Sequence, residues 1–525
     1  MRGCVILKNN ILIDVKDLSI GFDRNGQVKN VVKDISFQVK EGEILGIVGE
    51  SGSGKTMTAL SIIGLLPHDA YITNGSIVFD KMDLFEIDKE LRRELRGRQI
   101  SMIFQEPMTS LNPSMKIGYQ VEEMLTLHEP NLGKLEKKEK TLDALKEAGL
   151  DNIQGIYNKY PHELSGGMRQ RAMIAMAMLC KPKVLIADEP TTALDVTTQA
   201  KILNLIEELS RNYGTTVILI SHNLGVIKKI CSKVIVMEDG NIVEEGKVSQ
   251  IFTNPQENYT KQLILSMPVI DKLRTYKKPD PIKEKILEIK NLNVFYNEKG
   301  GLFSKKEKNH VVKDASLFVE RGETLGIVGE SGSGKSTLAK AILGMIKDTR
   351  GEVIHHNIKP QMVFQDPYSS LNPAKTVNWI LEEPLKLEGK LDKEERKRKV
   401  LQILKEVGLD KKYGPHYLSQ LSGGQRQRVA IGAALILNPQ FIVLDEPVSA
   451  LDVTVQYQIL KLLKKLRKEH NLSYLFISHD LNVVYQICDR VCVMCKGEIV
   501  ETGSINDLFY NPQHEYSKKL LSSVL

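Results

Sequence analysis

Hydrophobic and polar positions along the chain predict strands and helices in an order that occurs twice. Ile11–Leu18 alternates with period two and Ile35–Val39 is a second short apolar stretch, which together predict two strands. The apolar run Ile44–Val48 then leads through a glycine-rich turn into Met57–Leu66, which has the spacing of a helix. The same order returns in the second half, at Ile286–Val294, Ala315–Val319, Thr324–Val328 and Thr337–Met345.

Each half also contains two short runs that are apolar throughout, and such runs predict buried strands of a parallel sheet. They are Val184–Ala187 and Val217–Ile220 in the first half, and Phe441–Leu444 and Tyr474–Ile477 in the second. The stretch from Tyr119 to Ala148 has helical spacing and predicts a helical insert. The pattern therefore favours an α/β fold that is present twice.

The two halves align along most of their length, which indicates a duplicated domain. Lys55 aligns with Lys335 at an offset of 280 residues. Gln105 aligns with Gln365 at an offset of 260, and Ser165 with Ser422 at 257. The drop from 280 to 260 means that the second half lacks 20 residues after its glycine-rich turn. Little more than a hairpin fits there, and His355 and His356 are predicted to be exposed strand residues.

The glycine-rich turn is the string GESGSGK, at Gly49–Lys55 and again at Gly329–Lys335. Glycines let consecutive backbone N–H groups point inward at a phosphate, and the next helix adds its positive N-terminal end. The lysine adds a full charge, and the hydroxyl of Thr56 or Ser336 can reach a magnesium ion. Two copies at equivalent positions favour phosphate binding over a purely structural turn.

Polar residues follow the buried strands in both halves. A carboxylate pair comes after the first run and a histidine after the second, at Asp188, Glu189 and His222 and at Asp445, Glu446 and His479. Because ligands of a parallel sheet bind beyond the C-terminal ends of its strands, we expect these side chains to meet at one edge.

The tetrapeptide Leu-Ser-Gly-Gly, at Leu164–Gly167 and Leu421–Gly424, separates this chain from phosphate-loop kinases and GTPases. With it, both halves resemble the ATP-binding cassettes of ABC transporters. The resemblance implies an α/β fold of two tandem P-loop cassettes, each with a RecA-like, mostly parallel sheet core, an antiparallel β subdomain and a helical insert. It places the first cassette at residues 11–265, a linker at 266–285 and the second cassette at 286–525.

The resemblance also implies roles for individual residues, with ATP and Mg²⁺ as cofactors. Catalytic roles fall to Glu189, Glu446, His222, His479, Gln105 and Gln365. ATP would be bound by Phe22, Gly49, Ser51, Gly52, Ser53, Gly54, Lys55, Thr56, Met57, Ser165, Gly166, Gly167 and Met168, and by Tyr296, Gly329, Ser331, Gly332, Ser333, Gly334, Lys335, Ser336, Thr337, Ser422, Gly423, Gly424 and Gln425. The metal would be surrounded by Thr56, Gln105, Asp188, Ser336, Gln365 and Asp445. In the family two cassettes meet head to tail, so a pseudo-dimer within one chain is expected, with two composite sites.

Two further segments narrow the resemblance to the ATPases of peptide and nickel importers. Gln105 and Gln365 are followed by a Ser-Leu-Asn-Pro segment, and each half ends in a similar tail, at Asn254–Ile264 and Asn511–Leu521. The resemblance implies that ATP hydrolysis energises import of small peptides or related solutes. The implied partners are two transmembrane permease subunits and an extracellular solute-binding protein, at the cytoplasmic face of the plasma membrane. A nickel or metal-chelate importer, and a soluble twin-cassette factor that acts on ribosomes, are the alternatives.

Composition and charge agree with this interpretation. The 525 residues are 42% hydrophobic and 26% charged, and no apolar run approaches the roughly 18 residues of a membrane span. The net charge of +7 comes from mixed-charge patches without interleaved aromatic residues, so no nucleic acid is expected. Cys488, Cys492 and Cys495 align with an ordinary strand of the first half, and the linker lacks cysteine, so no iron–sulfur cluster is expected.

Overall fold

The computed structural model describes residues 10–24, 27–105, 110–192, 194, 196–267, 284–297, 308–356, 358–449 and 451–522. These residues form two compact units, of which the first ends at Met267 and the second begins at Glu284. The predicted linker 266–285 lies outside the described residues except at its two ends. No helix in the described part of the chain is long and apolar enough to cross a membrane.

The first unit alternates strands and helices. Its strands are β1 (Ile11–Arg24), β2 (Gln27–Lys40), β3 (Ile44–Val48), β4 (Ala70–Phe79), β5 (Met82–Asp83), β6 (Ile100–Ile103), β7 (Val184–Asp188), β8 (Thr216–Ile220), β9 (Lys233–Glu238) and β10 (Asn241–Lys247). Its helices are α1 (Lys55–Ile63), α2 (Lys89–Arg98), α3 (Ile117–His128), α4 (Lys134–Glu147), α5 (Ile153–Tyr157), α6 (Gly166–Met178), α7 (Val196–Tyr213), α8 (Leu224–Ile230), α9 (Val248–Thr253) and α10 (Asn258–Leu265).

Two sheets build this unit. The core sheet has the strand order β10-β9-β3-β8-β7-β6, and only β10 runs antiparallel to its neighbour. A separate antiparallel sheet has the order β2-β1-β4-β5. The predicted buried strands of the first half, β7 and β8, each have a neighbouring strand on both sides in the core sheet, and both are buried throughout, which explains why they are apolar on both faces.

The second unit has the same plan. Its strands are β11 (Lys285–Asn297), β12 (Lys308–Glu320), β13 (Thr324–Val328), β14 (Thr349–His355), β15 (Gln361–Val363), β16 (Phe441–Asp445), β17 (Ser473–Ile477), β18 (Arg490–Cys495) and β19 (Glu498–Ser504). Its helices are α11 (Lys335–Ile342), α12 (Pro367–Ser370), α13 (Val377–Glu388), α14 (Lys393–Glu406), α15 (Gly423–Leu435), α16 (Val453–His470), α17 (Leu481–Ile487), α18 (Ile505–Tyr510) and α19 (Glu515–Ser522). The core sheet has the order β15-β16-β17-β13-β18-β19, beside an antiparallel sheet β12-β11-β14.

Each core sheet is covered by apolar residues on both faces. Along β7, Val184 and Ile186 join the cluster that contains α1 and the antiparallel sheet. Their neighbours Leu185 and Ala187 join the cluster that contains the helical insert, α7 and α8. This alternation follows from the pleat of a strand, and it explains why both α1 and the helical insert can rest on one sheet.

The predicted deletion changes how the helix after the phosphate loop ends. In the first unit Arg96 of α2 donates to the carbonyl oxygens of Ile63, at 2.9 Å, and Gly64, at 2.5 Å. Among the described residues of the second unit, β14 is the only helix or strand between α11 and β15. His355, the last residue of β14, has its Nε2 2.9 Å from the carbonyl oxygen of Ile342. The expectation that His355 is exposed was therefore wrong, because it is half-buried and caps the carbonyl end of α11. His356 is exposed, as predicted.

Candidate functional site

The phosphate loop of each unit has a backbone that only glycine can adopt. Gly49 has φ 153°, and a Cβ atom there would lie 2.1 Å from the carbonyl oxygen of Met237. Gly54 has φ 100° and immediately precedes α1. Gly329 and Gly334 repeat this geometry, with φ 154° and φ 103°.

The lysine of each loop is buried and held by the loop itself. Lys55 is 5% exposed, and its Nζ donates to the carbonyl oxygens of Gly49, at 2.8 Å, and Glu50, at 2.7 Å. Lys335 makes the equivalent bonds to Gly329 and Glu330, both at 2.8 Å. The carbonyls are neutral, so the ammonium group brings positive charge to the inside of the loop, where a phosphate group would be stabilised.

A buried aspartate ends β7 in the first unit and β16 in the second. Asp188 is 2% exposed, and its Oδ1 accepts no hydrogen bond from the described residues. Burial raises its pKa to about 6, although a hydrogen bond from Thr56 acts in the opposite direction. In the second unit burial likewise raises the pKa of Asp445, whose Oδ1 accepts from Ser336 Oγ at 3.0 Å. A carboxylate beside a hydroxyl offers the hard oxygen donors that Mg²⁺ prefers.

The next residue, Glu189, is surrounded by hydrogen-bond donors. It has φ 46°, which is uncommon for a residue with a side chain. Its Oε2 accepts from Gln105 Nε2 at 2.8 Å and from Thr192 Oγ1 at 2.9 Å. His222 Nδ1 lies 3.1 Å from the same oxygen. The structure therefore brings together the three predicted catalytic residues of the first half.

The second unit repeats this cluster. Glu446 has φ 47°, and its Oε2 accepts from Gln365 Nε2 at 2.8 Å. His479 Nδ1 lies 3.1 Å from Glu446 Oε1. One difference lies beside the histidine, where Asp480 takes the place of Asn223.

The pKa values in both clusters favour an ionised glutamate. Burial opposes ionisation of Glu189 and Glu446, but the hydrogen bond and charge of the histidine outweigh it, so both pKa values lie below the ordinary value. Burial also disfavours the charged form of His479, yet Glu446 and Asp480 raise its pKa on balance. A carboxylate that stays ionised near neutral pH can polarise a water molecule.

The signature serines begin a different element. Ser165 is the N-cap of α6, and its hydroxyl accepts from the backbone N–H of Met168 at 3.3 Å. Ser422 caps α15 in the same way, and Gln425 Oε1 accepts in return from the Ser422 N–H at 3.0 Å. Both serines are exposed.

The predicted aromatic contacts lie on the antiparallel sheets. Phe22 of β1 is half-buried, and Tyr296 of β11 is 42% exposed. Strand β2, which pairs with β1, packs closely against the phosphate loop. The carbonyl oxygen of Val31 in β2 would lie only 2.9 Å from a Cβ atom placed on Gly54.

The remaining predicted residues lie in the phosphate loops or at helix starts. Exposed loop positions are Ser51, Gly52, Ser331 and Gly332, buried ones are Ser53 and Ser333, and half-buried first-turn positions are Met57 and Thr337. Thr192 was not predicted, although it bonds directly to Glu189. Its place three residues after that glutamate, just beyond Asp-Glu-Pro, is a signal that could have identified it.

Fold and site together define a tandem phosphate-loop nucleotide hydrolase. A family model described as "ABC transporter" matches residues 32–192 and 312–449. A second model, described as "Oligopeptide/dipeptide transporter, C-terminal region", matches residues 243–296 and 500–525.

Similar proteins span nearly the whole chain. The Peptidoglycan transport ATP-binding protein YejF of Agrobacterium fabrum is 43% identical, over 98% of this chain and 96% of its own length. The Glutathione import ATP-binding protein GsiA of Pectobacterium atrosepticum is 40% identical, over 99% of this chain and 90% of its own length. A solved structure, of the archaeal ribosome recycling factor aABCE1 with the stalk protein aP1, covers 91% of this chain and 87% of the solved chain, with a TM-score of 0.62 and 22% identity. At that identity the likeness shows the fold alone.

The chain belongs to the ABC transporter family. It is an ATP-binding protein whose ATP hydrolysis is coupled to transport. The predicted family and fold class are therefore confirmed, while the roles of the individual site residues stay predictions.

Proposed function

We propose that this chain is the ATPase subunit that drives uptake of small peptides, or of solutes related to them, through two permease subunits. The observation that carries the proposal is that each half brings its predicted catalytic residues together and ends in a tail that matches the oligopeptide/dipeptide transporter region. The named cargo of the relatives, glutathione and peptidoglycan, contains peptide, and this supports the solute class. This chain would lie at the cytoplasmic face of the plasma membrane, and the assembled transporter would receive its solute from an extracellular binding protein.

The solute class can be tested with the transporter reconstituted in vesicles with its permeases and binding protein. Labelled dipeptides and tripeptides should accumulate only when ATP is present on the cytoplasmic side. Accumulation of a nickel chelate without any peptide uptake would contradict the proposed solute class.

Hydrolysis in these sites would depend on position and charge more than on covalent chemistry. Lys55 and Lys335 would hold the β- and γ-phosphates, and Glu189 and Glu446 would orient and polarise the attacking water. Mg²⁺, when bound, neutralises phosphate charge. The residues that would hold it are Thr56, Gln105 and Asp188 in one site and Ser336, Gln365 and Asp445 in the other.

Each ATP site is proposed to be composite, with the phosphate loop of one half and the signature of the other. Lys55 would then act with Ser422, and Lys335 with Ser165. The exposed position of both serines supports the proposal, because they could meet a second surface. Cysteines introduced at Ser53 and Ser422 are expected to crosslink within one chain when ATP is bound. Crosslinks formed only between two chains would contradict the arrangement.

A groove in the first unit is proposed to receive a cytoplasmic helix of one permease. The predicted coupling segment Glu106–Pro113 lies outside the described residues up to position 109. Next to it, a groove of about 590 Å³ is lined by Phe104 with Met102, Met124 and Leu127. Phe104 is 37% exposed and Leu127 56% exposed, and both line the same groove, as in a contiguous apolar patch that a partner covers.

In the second unit, the corresponding candidate is Tyr368 of α12. It is 45% exposed, within the predicted coupling segment Asp366–Pro373. The Ser-Leu-Asn-Pro segments do not simply cap the next helix. The side-chain Oδ1 of Asn112 and that of Asn372 each accept from the backbone N–H two residues further along, at 3.0 Å. The N-cap positions of the next helices, α3 and α13, are occupied by Lys116 and Thr376.

Charged substitutions test this coupling. Leu127→Glu and Tyr368→Glu should abolish permease-stimulated hydrolysis and uptake while ATP binding is retained, because neither side chain belongs to the ATP cluster. Leu135→Glu is the matched control, since Leu135 is a 79% exposed leucine on α4 outside the groove. Normal uptake by the double variant Leu127→Glu/Tyr368→Glu would contradict the docking proposal.

A further inference from the structure

The C-terminal tail of each unit carries a tyrosine whose hydroxyl contacts the phosphate loop. The backbone N–H of Glu50 donates to Tyr259 Oη at 3.0 Å. The backbone N–H of Glu330 donates to Tyr516 Oη, also at 3.0 Å. The same bond in two copies, whose tails differ at several neighbouring positions, indicates a retained arrangement and not an accidental contact.

The residue whose N–H bonds to the tyrosine also holds the lysine of the loop through its carbonyl group. The Glu50 carbonyl oxygen accepts from Lys55 Nζ at 2.7 Å and from the Ser53 N–H at 3.1 Å. The tyrosine fixes the N–H of this residue while its carbonyl fixes the lysine. A change in the orientation of the Glu50 backbone would therefore move both the N–H that bonds to the tyrosine and the carbonyl that holds the Lys55 ammonium group.

The tyrosine is itself held in place by the last strand of the core sheet. Glu244 of β10 accepts from the backbone N–H groups of Gln256, at 2.9 Å, and Glu257, at 3.2 Å, just before α10 begins. In the same helix Leu263 is 4% exposed. The tail is thus anchored independently of the phosphate loop, as a support for the loop must be.

The second unit anchors its tail through the same device. Glu501 of β19 accepts from the N–H groups of Gln513, at 2.8 Å, and His514, at 3.1 Å. Leu520 of α19 is 4% exposed. Strand, tail and phosphate loop are therefore connected in the same order in both halves.

We propose that Tyr259 and Tyr516 are positioning residues for ATP binding, which hold the phosphate loop in the conformation that receives the nucleotide. The inference rests on the proposed ATP sites. It gives the shared tail a function at the nucleotide, in addition to any role in contacts with other subunits. Both hydroxyls contact the phosphate loop, so the effect should fall on nucleotide affinity and not on the chemical step.

Hydrogen exchange tests the contact directly in the full chain without nucleotide. Tyr259→Phe removes the hydroxyl and keeps the ring, so exchange of the loop peptide around Glu50 should accelerate about threefold to tenfold. Tyr516→Phe should accelerate the peptide around Glu330 instead, and each variant should leave the other loop unchanged. Unchanged exchange in both variants would overturn the proposal, whether or not the proposed ATP sites are correct.

Steady-state kinetics test the consequence. In Tyr259→Phe/Tyr516→Phe the KM for ATP should rise about threefold to tenfold, with kcat within about twofold of the unmodified protein. Tyr510→Phe is the matched control, because Tyr510 ends α18 immediately before the tail and its hydroxyl lies 2.9 Å from that of Tyr485. A fall in kcat with unchanged KM, or an equal effect of the control, would show that the tyrosines only stabilise the fold and would overturn the proposal.

Discussion

A left-handed backbone at a single residue decides which side chains surround a predicted catalytic carboxylate. At Glu189 the chain leaves β7 with φ 46°, and the carboxylate meets Gln105, Thr192 and His222. Such a conformation is disfavoured for a glutamate and persists when its surroundings hold it. Here the backbone N–H of Glu189 donates to the Ile220 carbonyl oxygen at 3.0 Å, which ties the turn to the neighbouring strand.

Thr192 should therefore affect hydrolysis through Glu189. Thr192→Val keeps the shape but removes the donor, so kcat of the first site should fall about fivefold, since the bond is made to a charged group. The variant is measured in the assembled transporter with Glu446 intact, because Glu446→Gln alone is expected to lower turnover strongly. Thr192→Ser retains the hydroxyl and should restore most of the rate. Equal rates for the valine and serine variants would contradict the role of this bond.

Asp188 should make stability depend on pH. Its pKa is about 6 in the folded protein against an ordinary value of 3.8, so the folded state binds the proton more tightly. The free energy of unfolding should therefore fall as pH rises from about 4 to about 6, by on the order of 3 kcal/mol. Asp188→Asn cannot titrate and should gain stability relative to the unmodified chain over this range. The check is the melting temperature without Mg²⁺ or nucleotide, and a pH-independent difference between the two proteins would contradict it.

The sequence predicted the charged residues of the site but not how they are held. Lysine, aspartate, glutamate and histidine were identified because each follows an apolar strand or a glycine-rich turn. Thr192 was missed although its bond to Glu189 spans only three residues. The tail tyrosines were missed because their importance comes from hydrogen bonds across the fold. Tyr259 lies 209 residues from the N–H it accepts, and no local pattern reports such a contact.

At the scale of elements, the two units end their phosphate-loop helices differently. Arg96 reaches α1 from α2, whereas His355 reaches α11 from β14. The repeat predicted that the subdomain is trimmed, but the residue that replaces the missing contact could not be predicted. The replacement depends on which side chain happens to lie near the carbonyl end of the helix once β14 has paired with β11.

Removal of these contacts should destabilise the units unequally. Arg96→Ala removes charge-assisted bonds to two carbonyls and should destabilise the first unit by about 1.5–3 kcal/mol. His355→Phe removes one bond and should cost about 1 kcal/mol in the second unit. Arg93→Ala is the control on α2, since Arg93 is exposed. Differential scanning calorimetry checks the effects, and an equal loss in Arg93→Ala would contradict the capping role.

At the scale of the whole molecule, both halves of the duplicated chain retain the predicted catalytic residues in the same arrangement. The distances from the glutamate to its glutamine and histidine agree between the units, at 2.8 Å and 3.1 Å in each. The duplication was readable from the sequence because the motif spacing is regular. Differences beside the clusters, such as Asp480 opposite Asn223, have not removed any predicted catalytic side chain.

The central claim is that both clusters hydrolyse ATP to drive transport, and single substitutions in the assembled transporter test it most directly. Glu189→Gln and Glu446→Gln should each lower ATP turnover about 100-fold, because the carboxylate that polarises the water is lost, while nucleotide binding is unchanged. Glu208→Gln, at an exposed position of α7, should have no effect. If either active-site variant kept the full turnover rate, that site would not contribute to hydrolysis and the symmetric account would be wrong.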